Sequence, residues 1–286
     1  MQERTGTMRR VAIGLITVML LVAACAEEDT TVPGGGGGGG SAAGCDTSNP
    51  PLMEEGVLTV ATDRPAFPPW FEGNPKRYSG YEGDLATEIA KGLGVPIKWV
   101  VEPFNKSFAP GDKDYDFDIN QISITPERKQ AVDFSDGYFD NNQGLLAAKD
   151  SSITDAETVA DLQDAQLGTQ VGTTSFGFIN SVIQPTNEPK IFDTTNDVKS
   201  ALESGQLDGL VTDVVTTVYL RDFEIPGSVV VGQYPTNEQF GMVFEKGSPL
   251  VDCVNQVLAD LKKDGSLKKL QDKWLQDYLG VPILKH

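Results

Sequence analysis

Short runs of apolar residues alternate along the chain with longer segments in which apolar residues recur at every third or fourth position. A short apolar run predicts a buried β-strand, and the longer periodicity predicts an amphipathic helix. The predicted strands cover residues 57–61, 95–101, 117–122, 144–148, 210–212, 229–231 and 241–244, with one more ending near Val171. The predicted helices cover residues 84–93, 251–261 and 267–278 and begin near residues 125, 155, 175 and 195. This alternation predicts two α/β units with parallel sheets and crossover helices.

Residues with strong capping preferences mark the ends of several of these helices. Thr125 and Pro126 form a start signal, because threonine caps helix N-termini and proline is favoured at the first helical position. Asp155 marks a second start, whereas Gly94 and Gly205 follow periodic segments and mark their ends. Local signals and periodicity therefore agree on these boundaries.

Two short polar segments, residues 140–143 and 234–238, separate the predicted units. They are the places where the chain can cross from one unit to the other, and two crossings form a hinge. We therefore expect one lobe built from residues 56–142 and 237–286 and a second lobe built from residues 143–236.

The N-terminus has the order of segments that is typical of an exported protein. Three arginines precede the apolar residues 11–22, and two alanines then lead to Cys25, which predicts a signal peptide over residues 1–24. The apolar stretch is shorter than the roughly 20 residues that a transmembrane helix needs. The sequence from Val22 to Cys25 resembles a bacterial lipobox, so we expect Cys25 to carry a lipid such as palmitate. Ordinary secretion with an unmodified Cys25 is the alternative.

Residues 25–55 are predicted to form a lipidated, flexible, glycine-rich linker. Residues 34–40 are all glycine, which cannot bury apolar surface and loses much backbone entropy on ordering. Such a linker would reach on the order of 30 Å. The run also fits a nucleotide-binding glycine pattern, but no strand precedes it and no helix follows. We therefore expect it to act as a membrane tether.

The formal charge of the chain is −18, and the predicted signal peptide carries three arginines and one glutamate. Removing the signal peptide removes a net charge of +2, so the mature chain has a net charge of about −20. A nucleic-acid-binding protein is expected to present a basic surface, so this balance argues against that class.

Cys45 and Cys253 remain as an even pair once Cys25 is set aside. Disulfides persist in the compartment to which a signal peptide leads, so we predict a bond between these two residues. The alternative is two buried free thiols.

Several common active and metal sites are excluded by the residues present. Acidic side chains alternate over residues 112–118 like the start of a calcium loop, but Phe117 and Ser123 occupy the positions that require glycine and glutamate. A strand with one solvated face is the better interpretation. The only histidine, His286, is the last residue, and no phosphate-binding loop or nucleophile elbow occurs. We therefore expect no metal and no cofactor.

Two strand-to-helix junctions have the chemistry of an anion site. Arg128 lies in the first turn after Thr125, where a cation is disfavoured unless an anion is near. That anion is either a ligand carboxylate or a neighbouring acid such as Glu127, and a solvated arginine is the remaining alternative. Residues 172–175 turn from a strand into a helix with glycine and hydroxyl side chains. They either bind an anion or simply cap the helix.

Asp213 and an aromatic segment complete the set of candidates. Asp213 follows a buried strand, so it either faces the crevice at the carboxyl ends of the strands or caps the next helix. Residues 63–70 carry Phe67 and Trp70 beside three prolines and one alanine. These rings could enclose a ligand, although Trp70 is equally suited to a core.

Taken in this order, the segments resemble the polar amino acid-binding proteins of ABC importers, which are extracellular solute-binding proteins of family 3. The similarity extends from Gly56 to about Leu284. The residues that carry it are 62–63, 67–70, 80–85, 123–128, 132–135, 172–174, 213, 265–267 and 273–274. The chain departs from the family pattern at Asn120 and Gln121, where small residues are common, and at residues 107–114, which lack an apolar helix.

The resemblance implies the type II periplasmic-binding-protein fold, in which two α/β lobes joined by a two-segment hinge close on an amino acid. It also implies a role for ten individual residues. These are Arg128 as the carboxylate clamp, Ser123, Thr173 and Thr174 as further carboxylate and ammonium contacts, Asp213 as the ammonium partner, Phe67, Trp70 and Phe104 as an aromatic wall, Gln121 through its backbone carbonyl, and Asp63 where some relatives contact a cationic side chain.

The resemblance further implies a monomeric receptor outside a bacterial cell membrane, lipid-anchored to it, which delivers a polar amino acid to the permease subunits of an ABC importer. Catalysis is not expected. One alternative is a dehydratase acting on a prephenate-like acid, for which Glu82, Asp63 and Glu102 are the available carboxylates. The other is a ligand sensor for a membrane receptor.

Overall fold

The structure, a computed structural model, describes residues 45–286. The predicted signal peptide, the lipidation site Cys25 and most of the predicted linker lie outside the described residues. Among the helices of residues 45–286, none combines the length and apolarity of a membrane span.

Twelve strands and seven α-helices are present in residues 45–286. The strands are β1 Leu58–Thr62, β2 Glu72–Asn74, β3 Arg77–Ser79, β4 Ile97–Val101, β5 Phe117–Asp118, β6 Asp133–Phe134, β7 Phe139–Ala147, β8 Leu167–Gln170, β9 Lys190–Phe192, β10 Gly209–Asp213, β11 Val229–Phe240 and β12 Val243–Phe244. The helices are α1 Tyr81–Gly92, α2 Phe104–Ser107, α3 Thr174–Phe178, α4 Thr195–Glu203, α5 Val214–Tyr219, α6 Leu250–Lys263 and α7 Ser266–Leu275.

These elements form two α/β lobes, which confirms the predicted fold class. Lobe 1 contains a sheet in the order β4-β1-β5-β12-β6, and lobe 2 contains a sheet in the order β11-β7-β10-β8-β9. The prediction that both sheets are parallel is wrong. Strand β7 runs antiparallel to both β10 and β11, and β12 runs antiparallel to β5 and β6. In chain order, β7 is the first strand of lobe 2 after the chain leaves lobe 1, and β12 is the first strand of lobe 1 after the chain returns.

The two chain crossings lie side by side in β7 and β11. Their residues pair antiparallel from Tyr234 opposite Gln143 to Phe240 opposite Phe139. The segments predicted as hinge loops are thus part of two continuous strands. Residues 139–142 and 238–240 pair within the sheet of lobe 2, although the predicted boundaries put them in lobe 1.

The end of the chain also differs from the predicted division of lobes. The amide of Gln233 donates to the Pro282 carbonyl over 2.8 Å, and the Leu284 amide donates to the Gln233 carbonyl over 2.9 Å. Leu284 is buried in the core of lobe 2. A side chain on Gly232 would lie 2.7 Å from the Leu284 Cγ, so this glycine leaves the space that Leu284 fills. The last residues therefore belong to lobe 2 and not to lobe 1.

Two of the predicted helices are only short 3₁₀ turns in the structure. After Thr125 and Pro126 the chain forms only a turn at Arg128–Gln130. The helix predicted after Asp155 is a turn at Val159–Leu162, closed by reciprocal hydrogen bonds between Thr158 and Asp161. A start signal without a following apolar periodicity was insufficient to extend either helix.

The strand predicted at residues 117–122 is shorter and more buried than expected. Only Phe117 and Asp118 have strand geometry, and Gln121 has a positive φ of 49°, which ends the extended conformation. The expectation of one solvated face is wrong, because Asp116 and Asp118 are both buried. Asp116 accepts hydrogen bonds from the amides of Met53 and Thr59, and Asp118 accepts one from the Ser107 hydroxyl.

A disulfide bond joins Cys45 to Cys253 in α6, with the Cα atoms 4.9 Å apart. Cys253 is buried in the core of lobe 1, and Cys45 packs against the same core. The bond closes a loop over a sequence separation of 208 residues, which ties the first described residue to lobe 1. Leu52 packs against the same core, and the Met53 amide donates to Asp116 over 2.7 Å. The predicted linker boundary at residue 55 is therefore wrong, because residues 45–55 already belong to lobe 1.

Replacing both cysteines by alanine should lower the free energy of unfolding by about 2–5 kcal/mol, because the unfolded chain is no longer constrained by a long loop. Urea denaturation of the two proteins measures the difference. Dithiothreitol should shift the midpoint of the wild type and leave that of the double variant unchanged. Equal denaturation midpoints for the wild type and the double variant, both measured without dithiothreitol, would contradict the prediction.

Candidate functional site

A cavity lies between the two lobes and offers about 80 Å³ to the centre of a water molecule. This is several times the roughly 10–15 Å³ that one water needs, so the cavity can hold a small polar ligand. Its walls contain nine of the ten predicted ligand residues, namely Asp63, Phe67, Phe104, Gln121, Ser123, Arg128, Thr173, Thr174 and Asp213.

Arg128 spans the cleft between the lobes. Its Nη1 donates to the Ser123 carbonyl over 2.7 Å in lobe 1, and its Nη2 donates to the Gly172 carbonyl over 2.8 Å in lobe 2. The guanidinium carbon lies 4.1 Å from the ring centre of Phe108 and 5.7 Å from that of Phe104. These contacts hold the group rigidly with donors left over for a ligand.

Arg128 is only 8% exposed, which excludes the solvated arginine considered for this position. Burial lowers the pKa of its guanidinium to about 10, so the group is charged at neutral pH. Within residues 45–286, no carboxylate lies within 4.0 Å of it, so Glu127 is not its ion-pair partner. A buried cation with this environment can bind an anion.

Ser123 and Thr174 face each other across the cleft, and both are bonded to Glu238, a residue that the sequence did not predict for the site. The Glu238 carboxylate accepts from the Ser123 hydroxyl over 2.7 Å and from the Thr174 hydroxyl over 2.6 Å. Gln143 donates to its other oxygen over 2.9 Å. The available signal was an acidic residue in the polar segment 234–238, but no local pattern indicates which way its side chain points.

Thr173 is the N-cap residue of α3, but its hydroxyl does not bond to the helix. It donates instead to the Gln170 carbonyl over 2.8 Å. Gly172 before it has a φ of 76°, which turns the chain from β8 into α3. The Thr173 side chain therefore does not cap the helix, and it lies in the cavity wall.

Asp213 both caps a helix and faces the crevice, the two positions predicted for it as alternatives. It caps α5, with Oδ1 accepting from the Thr216 amide over 2.8 Å, and it also lines the cavity at the end of β10. Burial raises the pKa of this carboxyl above its ordinary value, while bonds from Thr216 act in the opposite direction. A cationic group of a ligand would stabilise the ionised form.

Asp63 follows β1, and its side chain is hydrogen-bonded to the first residue of α2. Its carboxylate accepts from the amide of Arg64 over 2.5 Å and from the amide of Phe104 over 3.3 Å. Phe67 and Phe104 are half-buried at the cavity. These residues form one wall on lobe 1.

Trp70 lies behind the cavity wall and not in it. It is fully buried, with its ring centre 5.2 Å from that of Phe139 and 5.6 Å from that of Phe240. Its indole N–H donates to the Thr216 hydroxyl over 3.1 Å. The ligand contact predicted for Trp70 is thus replaced by a core position that supports Thr216, a lining residue.

Gln121 is held in place from behind by Glu82. The Gln121 amide donates to Glu82 Oε1 over 2.8 Å, and both its side-chain amide and the Tyr138 hydroxyl also donate to Glu82. These bonds stabilise the positive φ of Gln121, which costs energy in a residue other than glycine. Glu82 is fully buried, and burial raises its pKa from 4.5 to about 7.

The raised pKa of Glu82 predicts that stability falls with rising pH. A carboxyl whose pKa is higher in the folded state binds its proton more tightly there, so its stabilisation is complete below about pH 4.5 and is lost as the pH rises through about 7. The variant Glu82→Gln is neutral at every pH. It should therefore lose less thermal stability than the wild type between about pH 5 and pH 8.

Thermal unfolding followed by circular dichroism at several pH values tests this prediction. Asp118, whose pKa burial raises to about 8, contributes in the same direction to both proteins. The exposed Glu203→Gln is the matched control and should follow the wild type. Parallel curves for the wild type and Glu82→Gln would contradict the assignment.

Among residues 45–286, no group of three or more histidine, cysteine, aspartate or glutamate side chains is arranged to hold a metal ion.

The chain is similar to known proteins over most of its length. A sequence model of the family described as bacterial extracellular solute-binding proteins, family 3, matches residues 58–277. The L-cystine-binding protein TcyJ of Escherichia coli (strain K12) is 28% identical over 226 residues, which cover 78% of this chain and 84% of that protein. The ABC transporter glutamine-binding protein GlnH of Bacillus subtilis (strain 168) is 31% identical over 205 residues, which cover 69% and 73% of the two chains.

A solved structure shares the two-lobed architecture. The structure of an ancestral arginine-binding protein bound to glutamine has 32% sequence identity and a TM-score of 0.69. The similarity covers 78% of this chain and 99% of that one.

Proposed function

The chain belongs to family 3 of the bacterial extracellular solute-binding proteins, and from this premise we propose that it binds a polar α-amino acid between its lobes. The observation that carries the proposal is the charge arrangement of the cavity. A buried guanidinium, Arg128, and a carboxylate, Asp213, both line it from different lobes. An α-amino acid presents one carboxylate and one ammonium group, so it can bridge the two lobes.

Each of the nine predicted ligand residues that line the cavity has a proposed role in this binding. Arg128 binds the ligand carboxylate, because its fork of donors fits two carboxylate oxygens. Asp213 receives the ammonium group, with Thr173 nearby on the same lobe. Phe67 and Phe104 contact the aliphatic part of the ligand. Gln121 offers its backbone carbonyl, Ser123 and Thr174 offer their hydroxyls, and Asp63 lies where a polar or cationic side chain would end.

Binding by two lobes also explains how a ligand would change the conformation. A ligand that contacts both Arg128 and Asp213 favours the closed form by the difference between its affinities for the two forms. The hinge of β7 and β11 would allow this closure. Relatives that bind cystine or glutamine support a polar amino acid as the ligand class.

We further propose that the protein is a monomeric lipoprotein outside the cell membrane that delivers its ligand to an ABC importer. The similarity to an ABC transporter glutamine-binding protein supports the delivery step. The predicted signal peptide, the predicted lipidation of Cys25 and the predicted glycine-rich linker before Cys45 support the anchoring. A linker of this length, reaching on the order of 25 Å, would let the lobes approach a permease in the same membrane.

Uptake by the native bacterium tests transport and anchoring together. Deleting the gene should reduce uptake of the bound amino acid, and the wild-type gene should restore it. The variant Cys25→Ser should move the protein from the membrane fraction to the soluble fraction and lose palmitate labelling. Unchanged uptake in the deletion strain contradicts delivery, and membrane retention of Cys25→Ser contradicts the lipid anchor.

The geometry disfavours the dehydratase alternative. Glu82 is fully buried behind Gln121, and neither Glu82 nor Glu102 is among the residues lining the cavity. Asp63 does line it, but its carboxylate is engaged by two backbone amides. Incubation with prephenate and arogenate decides the matter, since turnover above the uncatalysed rate would establish an enzyme.

A further inference from the structure

Glu238 lies on a hinge strand at an irregularity that turns it toward the cleft. In the pairing of β11 with β7, Pro235 is opposite Asn142 and Glu238 is opposite Asn141, so the two residues between them have no partners. Asn237 has a positive φ of 57°. Such bulges redirect side chains next to binding sites. The direction of Glu238 is thus set by the backbone of the hinge itself.

The Glu238 carboxylate connects three parts of the molecule. One oxygen accepts from the hydroxyl of Ser123 in lobe 1 and from that of Thr174 in lobe 2, over 2.7 and 2.6 Å. The other accepts from Gln143 on the neighbouring hinge strand over 2.9 Å. Bonds to an ionised acceptor are stronger than bonds between neutral groups. Closing the lobes is therefore what completes the coordination of this carboxylate.

The same bonds fix the direction of the hydroxyl protons. An ionised carboxylate can only accept hydrogen bonds, and each hydroxyl has a single proton to donate. Because Ser123 and Thr174 both donate to Glu238, only their lone pairs remain, and one lone pair of Thr174 already accepts from the Gln143 side-chain amide over 3.2 Å. The ligand therefore meets hydroxyl oxygens that can only accept. The nearby negative charge also disfavours a second carboxylate at this edge of the cavity.

We propose that Glu238 is a positioning residue that ties the two lobes together and makes the Ser123–Thr174 edge a hydrogen-bond acceptor for the cationic group of the ligand. This inference rests on the proposed function, because it assigns the polarity of the same cavity. The ligand carboxylate is then left to Arg128, which uses one N–H on the carbonyl of Ser123 and one on that of Gly172 and has three more.

The test compares the wild type with Glu238→Ala in two measurements. Calorimetry is carried out with L-glutamine and L-arginine, each beside its decarboxylated amine and its deaminated acid. Removing Glu238 frees both hydroxyl protons for a carboxylate, so the affinity ratio of acid to amine should rise by roughly tenfold or more. Small-angle X-ray scattering without ligand should show a larger radius of gyration, because a bond between the lobes is lost.

Two further variants control for nonspecific effects. Asp140→Asn removes a carboxylate from the other hinge strand, where Asp140 accepts only from Gln239 among residues 45–286, and it should leave both readouts unchanged. Glu238→Gln keeps the side-chain shape and loses the charge, so it should give a smaller shift in the same direction and remains informative if the alanine variant is poorly folded.

Either an unchanged affinity ratio or an unchanged radius of gyration in Glu238→Ala overturns the assignment. Failure of the proposed function is a separate result. If the wild type binds neither amino acid nor any analogue, the scattering comparison still decides whether Glu238 holds the lobes together.

Discussion

Replacing Arg128 by alanine is expected to lower amino acid affinity by at least about a hundredfold, because in the proposed function the ligand carboxylate loses its charged, bidentate partner in a buried site. The substitution also leaves the carbonyls of Ser123 and Gly172 without the donors that join the two lobes. Isothermal titration calorimetry with the amino acid that the wild type binds best measures the change.

Two other substitutions separate the charge of Arg128 from its shape. Arg128→Lys keeps the charge but loses the planar fork and its stacking on Phe108, so it should recover only a small part of the affinity. Arg221→Ala removes a surface arginine that bonds to its neighbour Asp222 and should bind like the wild type. Wild-type affinity in folded Arg128→Ala would remove this residue from the site.

Replacing Trp70 by alanine is expected to have the largest effect on stability, about 3–5 kcal/mol of unfolding free energy. The side chain is fully buried, and it packs at 5.9 Å from Tyr81 as well as against Phe139 and Phe240. The substitution leaves a cavity in the core of lobe 1 and removes the donor to Thr216. Urea denaturation monitored by far-ultraviolet circular dichroism gives the difference.

Trp70→Phe distinguishes packing from hydrogen bonding. It retains an aromatic ring but loses the indole N–H and the fused five-membered ring, so we expect about 1–3 kcal/mol for the unpaired Thr216 and the smaller side chain. Phe223→Ala removes an aromatic ring that is 67% exposed and should change stability by less than about 1 kcal/mol. If Trp70→Ala were as stable as Phe223→Ala, Trp70 would not be a core residue.

Local sequence signals predicted much of the fold. The apolar run of β1, the periodicity of α6 and α7, and the glycine after α1 all correspond to observed elements. The antiparallel strands β7 and β11 could not be predicted in full. Their polar, proline-containing central residues look like a loop, and they are extended only because each strand pairs with the other.

The lining of the cavity was predictable where it depends on position along the chain. Arg128, Thr174 and Asp213 follow strand ends, and strand ends of one lobe meet at its edge. Trp70 was placed incorrectly and Glu238 was missed because their contacts depend on the direction of the side chain. Proline-rich flanks do not determine which way a ring points, and a bulge changes the direction of a side chain without a sequence signature.

The central claim is that the cavity between the lobes binds a polar α-amino acid, and calorimetry of the purified protein against the twenty common amino acids tests it most directly. Binding of at least one polar amino acid at one site per chain, with a dissociation constant of about 10 μM or lower, is the predicted result. Absence of binding to every polar amino acid, from protein shown to be folded and free of bound ligand, would contradict it.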